Sequence, residues 1–291
     1  MMTFLWIVGV ILAALLFGAL IAHALPLFGA RGKAAASWFT HAPGLDVAVV
    51  YFTVLPLIGG WIAGLWLYAG WWGGWAGLLA GVIAFVLGVM VWTVLHEVAH
   101  IRSVRGPRIV KELNKRVGRV RNHAAVWTTA LAVPVFSIIR LAEYVVYPPL
   151  TKLIKLPRYD HAEWVNISRQ KFEGLVGHDL IWCLYCDWMT GVWSLGSEML
   201  RNVESFWCPI RFQSDKKCAN CAVDFPDIDN GWVRADGTME EVAGLIRGKL
   251  SGGNHSWYGH PTRLTVEGNV PSELRSGEID TSDNGASESA Q

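Results

Sequence analysis

Long apolar runs dominate the first third of this chain. Three of them, at residues 4–25, 47–68 and 75–95, reach the roughly 20 residues that a helix needs to cross a bilayer. The alternative for the first run is a cleaved signal peptide, because Ala22-His23-Ala24 resembles a small-x-small cleavage site. Residues 1–6 contain no Lys or Arg, however, so we favour a retained anchor and predict three transmembrane spans.

Glycines recur at four-residue spacing inside the second and third runs. Gly60 and Gly64 lie in the second run, and Gly73, Gly77 and Gly81 lie in the third. Small residues at this spacing let two helix backbones approach closely in lipid. The pattern therefore predicts a tight helical hairpin, with the uncharged, Trp-rich turn 69–75 at the headgroups of the outer side.

A fourth apolar run, residues 124–147, carries polar interruptions at Pro134, Arg140 and Glu143. Basic residues flank it on both sides, whereas a fourth crossing would separate those flanks by the whole bilayer. We therefore predict a re-entrant or interfacial segment, which keeps the rest of the chain on the side where the segment starts.

Periodicity beyond residue 159 is that of a globular domain. Helices are predicted at about 162–188 and 191–206, and a strand at 262–267. Thr238 and Glu241 have the spacing of a capping box that opens a short helix ending near Leu250. Residues 270–291 are nearly free of apolar side chains, which predicts a disordered acidic tail.

Composition supports the membrane assignment, since 52% of the residues are hydrophobic and 16 are Trp. The net charge of +1 hides a strongly basic stretch at 101–121. Its basic residues are Arg102, Arg105, Arg108, Lys111, Lys115, Arg116, Arg119 and Arg121. By the positive-inside rule this stretch is cytoplasmic and the N-terminus is outside, in a plasma or inner membrane. We expect the stretch to bind anionic lipid headgroups; nucleic acid is not expected, because no aromatic platform is interleaved with the charges.

The predicted fold class is a mainly α, polytopic membrane protein with a small Cys-rich cytoplasmic α+β domain. We expect five regions: a transmembrane region at 1–100, a basic juxtamembrane segment at 101–122, an apolar re-entrant or interfacial segment at 123–158, a Cys-rich metal-binding domain at 159–269 and the tail at 270–291.

His96-Glu-Val-Ala-His100 closes the third apolar run. Residues four apart share a helix face, so His96 and His100 can bind one Zn²⁺ while Glu97 reaches a metal-bound water as general base. The alternative is a structural pair of histidines at a helix interface. A zinc site needs a third ligand, for which we consider Glu173 and also His178, Asp179, His161 and Glu143.

Two Cys-x-x-Cys pairs form a second candidate site. Cys183 and Cys186 are separated by about thirty residues from Cys218 and Cys221, and this arrangement is typical of a four-thiolate site. Its metal could be structural zinc or an iron–sulfur cluster, and free or redox-active thiols are the remaining alternative. Cys208, the fifth cysteine, is a candidate substitute ligand.

The order of these features resembles the integral-membrane gluzincin metallopeptidases of the HtpX type. Apolar spans lead into HEVAH, and Ser168-Arg169-Gln170-Lys171-Phe172-Glu173 follows a further apolar segment. The resemblance implies that His96, His100 and Glu173 bind zinc and that Glu97 is the general base. Gly177 stands where the family usually has an acidic residue.

Together these features predict a zinc-dependent endopeptidase that hydrolyses membrane or membrane-proximal proteins. The alternative is a non-catalytic, membrane-anchored zinc or iron–sulfur module that acts as a subunit of a larger membrane complex.

Overall fold

The computed structural model describes residues 1–68, 70–213, 216, 231–249 and 265–266. Helices account for most of this described part, and no strand occurs in it; two isolated bridges, His41 with Asn166 and Ile210 with Val233, are its only β pairings. The membrane part and the segment that follows it contain α1 Met2–Ala24, α2 Gly29–Trp38, α3 Gly44–Val49, α4 Leu55–Tyr68, α5 Trp71–Ala99, α6 Ile101–Arg105, α7 Ile109–Val117 and α8 Arg119–Thr129. The later helices are α9 Val133–Val145, α10 Tyr147–Leu153, α11 His161–Trp164, α12 Gly177–Trp207 and α13 Met239–Lys249.

Four helical stretches in the described part of the chain are long and apolar enough to cross a membrane, so the chain is a helical membrane protein. They are Met2–Trp38, Gly44–Tyr68, Trp71–Ala99 and Arg119–Leu153. Three of them cover the predicted spans. The fourth covers the run that we expected to be re-entrant or interfacial, and by length and composition it too is sufficient to span.

The chain divides into two compact units. The first contains residues 1–144 and 161–196, and the second contains residues 145–160 and 197–291. The candidate residues that the structure describes lie in the first unit, except Cys208, which belongs to the second.

Helices α4 and α5 form the predicted glycine-packed hairpin. A Cβ placed at Gly64 would lie 2.8 Å from the Cα of Gly77 and closer still to the Gly73 carbonyl oxygen. At the other end of the pair, a Cβ at Gly81 would meet the Pro56 carbonyl. The glycine prediction is therefore confirmed, and the residues entering α4 and leaving α5 lie at the same end of the hairpin.

Helix α1 packs against this hairpin through small and branched apolar side chains. Ile7 and Val8 of α1 form a buried cluster with Ala80 and Ala84 of α5. The Tyr51 hydroxyl, in the π-helical turn Val50–Val54, donates a 2.6 Å hydrogen bond to the Ala14 carbonyl. These contacts make a three-helix bundle of α1, α4 and α5.

Helices α8 and α9 lie alongside α12 in parallel order. The ring centroids of His123 and His178 are 4.9 Å apart, and those of Trp127 and Trp182 are 5.2 Å apart. Further along, on α9, the ring centroid of Phe136 is 6.1 Å from that of Trp193 on α12. Because the contact positions increase together along both segments, α8 and α9 run parallel to α12 and beside it.

The helix predicted at 162–188 is confirmed only at its two ends, because residues 165–176 are not α-helical. In its place the chain forms α11, a 3₁₀ turn at Arg169–Lys171 and then α12, which begins only at Gly177. Gly174 and Gly177 have φ of +82° and +54°, a backbone conformation that interrupts a right-handed helix. Asp187 also accepts the Ser168 backbone N–H at 2.8 Å, which stabilises the non-helical turn.

The helix predicted at 191–206 is not separate, because α12 continues through it to Trp207. Gly191 lies inside this helix, where the absence of a side chain leaves room for the Trp164 carbonyl. The predicted α+β character is not found in the residues described, and the predicted strand, apart from 265–266, lies outside them. The tail at 270–291 also lies outside them.

The second unit contains a buried polar cluster and the predicted capping box. Asn202 donates a hydrogen bond of 2.9 Å to the Tyr147 hydroxyl and contacts the Tyr159 hydroxyl. The Thr238 N–H donates to the Glu241 carboxylate at 2.6 Å, and the Glu241 N–H returns a bond to the Thr238 hydroxyl at 3.3 Å. The capping box is therefore confirmed at the start of α13.

Candidate functional site

The HEVAH motif forms the last turn of α5. His96 lies inside the helix and His100 is its C-cap, with φ −115° and ψ 41°. Their rings stack at a centroid distance of 4.3 Å and an interplanar angle of 22°. The two histidines thus share one face of the helix, as the four-residue spacing predicts.

Hydrogen bonds fix which ring nitrogen of each histidine is free. His96 Nδ1 accepts the Gly177 backbone N–H at 3.1 Å, so its proton is on Nε2 when the ring is neutral. His100 Nδ1 lies 2.9 Å from the His96 carbonyl and must donate to it, which leaves an open lone pair on Nε2. Only His100 of this pair is therefore in the tautomer that can bind a metal through Nε2.

His23, on α1, completes a row of three imidazoles that the motif itself does not reveal. Its ring lies 5.6 Å from the His96 ring, and its Nε2 accepts the Trp92 indole N–H at 3.1 Å. The sequence signal that points to His23 is a histidine inside an otherwise apolar run, a position that is costly in lipid. That His23 lies beside His96 became evident only through the packing of α1 on α5.

Glu97 is held by two donors on the same oxygen. The Arg108 guanidinium donates to Glu97 Oε1 at 2.8 Å, and the His178 backbone N–H donates to it at 3.1 Å. Gly177 makes this approach possible, because a Cβ at that position would collide with the Glu97 side chain and its φ is +54°. The start of α12 is thereby anchored to the end of α5.

Arg108 extends this contact to Asp179. Its Nε donates to Asp179 Oδ2 at 3.0 Å, while the other carboxylate oxygen accepts the Val110 N–H at 3.0 Å. Both charged side chains are buried. Burial alone would raise the pKa of Asp179, but the adjacent His178 ring and the Arg108 charge outweigh it and hold that pKa below its usual range. We refer to these three side chains as the Glu97–Arg108–Asp179 cluster.

The arrangement of the two motif histidines does not fit a tetrahedral zinc ion. Two imidazoles on one Zn²⁺ place their ring centroids about 5 Å apart with their nitrogens converging, whereas these rings are stacked and one acceptor nitrogen is occupied. Among the described residues, no group of three His, Cys, Asp or Glu side chains is placed to hold a metal. The assignment of zinc to His96 and His100 stays a prediction.

Glu173, the ligand suggested by the family resemblance, lies in an exposed turn before α12 and not on a helix. The other candidates have their own neighbours. Asp179 binds Arg108, Glu143 binds Arg140, His161 stacks on Tyr144 at 4.8 Å, and His178 packs beside His123.

The first cysteine pair lies on α12. Cys183 and Cys186 are free thiols three residues apart, so they share one face of the helix. Burial raises the pKa of the Cys183 thiol, which the positive charge of Arg169 opposes. Cys208, just beyond α12, is also a free thiol. Cys218 and Cys221 lie outside the described residues, so the second half of the predicted thiolate site does too.

No family model, curated protein or solved structure matches this chain. The resemblance to gluzincin peptidases therefore stays a prediction that depends on the residues quoted for it. Of these residues, the structure brings His96, Glu97 and His100 together, along with His23, Arg108, Gly177 and Asp179, which the motif does not contain.

Proposed function

We propose that this chain is a non-catalytic, membrane-anchored module that serves as a subunit of a larger membrane complex, with its HEVAH motif acting as a structural anchor. The observation that carries the proposal is the double engagement of Glu97 by Arg108 and by the His178 N–H. A general base must be able to face a metal-bound water. Here both donors bind Oε1 of the Glu97 carboxylate, and this oxygen holds α12 against α5.

The anchor explains why this motif ends a membrane helix. The C-terminal turn of α5 carries a half-buried carboxylate, which is costly near a bilayer unless a cation and hydrogen bonds compensate it. Arg108 supplies the cation, and Gly177 and His178 supply backbone N–H groups to His96 and Glu97. The motif histidines then pack by stacking on each other.

The proposed topology has three membrane spans, with α8 and α9 lying across the cytoplasmic end of the hairpin. His123 of α8 contacts His178, whose backbone binds Glu97, while Arg140 of α9 binds Asp46 at the start of the second span. Both contacts are at the end where α4 begins and α5 finishes. In a straight crossing helix, residues 123 and 140 would be separated by about 25 Å along the membrane normal. The basic residues between α5 and α8 favour the cytoplasm for this end.

Helix α12 presents the cysteine pair in this arrangement. The shared face of Cys183 and Cys186, with the Arg169 charge beside it, suits two thiolates of a four-thiolate site. Cys218 and Cys221 would supply the other two. Bound zinc would contribute folding free energy, whereas an iron–sulfur cluster would contribute electron transfer.

A double-mutant cycle on Glu97 and Arg108 tests the anchor. We expect Glu97→Gln and Arg108→Gln each to lower the free energy of unfolding of the detergent-solubilised protein. The double variant should lose about 1–3 kcal/mol less than the sum of the single variants, because the two side chains act on each other. The exposed Arg105→Gln variant is the matched control. Additive effects of the two substitutions would contradict the anchor.

The zinc endopeptidase is the second candidate, and two observations favour it. His100 Nε2 has an open lone pair, and His23 brings a third imidazole to the same face of α5. Zinc there would polarise a scissile carbonyl of a membrane protein and activate water. This function requires His96 to reorient and Glu97 to leave Arg108.

Metal stoichiometry together with cleavage of a membrane-protein substrate separates the two candidates. The peptidase predicts that Glu97→Gln keeps zinc while activity falls by about a hundred- to ten-thousand-fold, and that His96→Ala loses the metal. The structural anchor predicts a loss of stability in both variants and no zinc bound through these histidines in the wild-type protein.

A further inference from the structure

Helices α7 and α8 form a helical hairpin whose orientation is fixed at both ends. The Val110 N–H at the start of α7 binds Asp179 at 3.0 Å, and Asn122 of α8 donates to the Asn114 side chain at 2.9 Å. Gly118 joins the two helices with φ +88°, a conformation that suits glycine. The surface that this hairpin presents is therefore pre-organised.

One face of α7 is apolar and exposed. Ile109, Leu113 and Val117 follow one another at four-residue spacing, and their exposed fractions are 51%, 41% and 49%. The contact between Asn114 and Asn122 directs a different side of α7 toward α8. About half of the surface of each of these side chains stays exposed in the part of the chain that the structure describes, although the stripe is held in a defined position.

Exposed arginines lie before, within and after α7 in the sequence. Arg102, Arg105, Arg116, Arg119 and Arg121 are exposed, and none of them forms an ion pair within the described part of the chain. The neighbouring lysines are used locally: Lys111 binds the carbonyls of Val104 and Gly106, and Lys115 pairs with Glu112. Most of the exposed positive charge of this region is thus carried by arginine, which forms bidentate contacts with phosphate.

We propose that α7 lies in the surface of an anionic bilayer, with Ile109, Leu113 and Val117 inserted at the acyl boundary and Arg105, Arg116 and Arg121 binding lipid phosphates. The chain itself supports lipid as the occupant, because α7 begins shortly after the apolar helix α5 ends and is tethered at the membrane. A helix with one apolar face and a basic surround is the type that lies in an interface. This inference uses the membrane anchoring of the proposed function and is independent of the role of Glu97.

Site-specific photo-crosslinking in nanodiscs tests the orientation of α7. The full-length protein would carry the photoreactive amino acid p-benzoylphenylalanine at Leu113 or, as the matched control on the polar face, at Glu112. The discs would contain phosphatidylcholine alone or an equal mixture with phosphatidylglycerol, and mass spectrometry would count phospholipid adducts. We expect adducts at position 113, more of them in the anionic discs, and few at position 112.

The arginines are tested by charge removal. Each basic residue near an anionic surface favours binding by roughly fivefold at low ionic strength, so Arg105→Gln, Arg116→Gln and Arg121→Gln together should remove the preference for anionic discs. A control variant with Lys152, Arg234 and Arg247 changed to Gln should keep it. Added salt should weaken it in the wild type.

Three results would overturn the proposal. Equal lipid adducts at positions 112 and 113 would exclude an inserted stripe. Equal yields at position 113 in neutral and anionic discs would exclude selectivity for anionic lipid. Adducts to protein in place of lipid would assign the face to a protein partner. None of these results depends on the coupling between Glu97 and Arg108, so failure here and failure of the structural anchor are distinguishable.

Discussion

Two clusters in the first compact unit place one arginine between two carboxylates, and they differ in how completely the carboxylates are paired. In the Glu97–Arg108–Asp179 cluster, backbone N–H groups of His178 and Val110 help to satisfy Glu97 and Asp179. The second cluster consists of Asp46, Arg140 and Glu143, and we refer to it as the Asp46–Arg140–Glu143 cluster. It joins α3 to α9.

Asp46 is the most fully paired carboxylate of the second cluster. Arg140 binds it in a two-pronged pair at 2.9 and 2.8 Å, and Tyr144 and Trp188 donate to it at 2.7 and 3.3 Å. Among the residues that the structure describes, Glu143 pairs only with Arg140, and its Oε1 atom is buried there without a hydrogen-bond partner. The comparison teaches that carboxylates with backbone donors keep part of their stabilisation when the arginine is removed. A carboxylate that depends on a single guanidinium loses its stabilisation with that one side chain.

Removing Arg140 should have the largest effect. Arg140→Met would leave Asp46 and Glu143 buried without a cation, and we expect a loss of about 3–5 kcal/mol in the free energy of unfolding. Arg108→Met should cost less, because Glu97 is partly exposed and keeps the His178 N–H. Thermal and denaturant unfolding in detergent would measure both, with exposed Arg116→Met as the control. A smaller loss for Arg140→Met than for Arg108→Met would reverse the comparison.

Gly177 gives the next largest effect, because it allows the backbone of α12 to approach Glu97. We expect Gly177→Ala to cost about 2 kcal/mol, from the positive φ together with the collision of the new Cβ with the Glu97 side chain. Gly118→Ala is the matched control, since Gly118 has φ +88° but open space around it. Adding Glu97→Ala to Gly177→Ala should remove the part of the effect that comes from the collision. Equal costs at the two glycines would show that only backbone strain matters.

Glu143 should be less important than Asp46 despite its deep burial. Glu143→Gln removes a charge whose Oε1 has no partner, so its effect on stability should stay below about 1 kcal/mol, whereas Asp46→Asn breaks a two-pronged ion pair and should exceed it. Unfolding of the two single variants under identical conditions decides the order. A Glu143→Gln loss as large as that of Asp46→Asn would mean that both carboxylates share Arg140 equally.

Acid should reveal the smallest effect, at Asp179. Its pKa is lowered in the folded protein, so its contribution to stability is fully present above the ordinary carboxyl pKa of about 3.9 and is lost as the pH falls through the lower, folded value. We expect Asp179→Asn to flatten this acid limb of the stability profile. An unchanged acid limb in the variant would assign the pH dependence to other carboxylates.

Local patterns predicted those features that neighbouring residues determine by themselves. The four-residue glycine spacing predicted the close packing of α4 on α5, and Thr238 with Glu241 predicted the start of α13. Both patterns act within one or two adjacent helices, where spacing translates directly into geometry.

The candidate site required contacts between distant segments, and the sequence could not supply them. His96 and Glu97 depend on Gly177 and His178, about eighty residues later. Gly174 and Gly177 lie inside the helix predicted at 162–188, whereas their positive φ values in fact interrupt the chain before α12 and begin it. Hydrophobic periodicity carries no information on such backbone reversals, so the position of Glu173 was also misplaced.

The glycine contacts of α4 and α5 bear on how this protein is made. In lipid, apolar side chains gain little from choosing one helix face over another, so attraction alone would allow many alignments of two spans. At Gly60, Gly64, Gly73, Gly77 and Gly81 the opposing backbones come so close that an alignment shifted by one or two residues would force a side chain into that space. Steric exclusion thus reduces the number of alignments, and a newly synthesised pair of spans has few near-correct arrangements in which to be trapped.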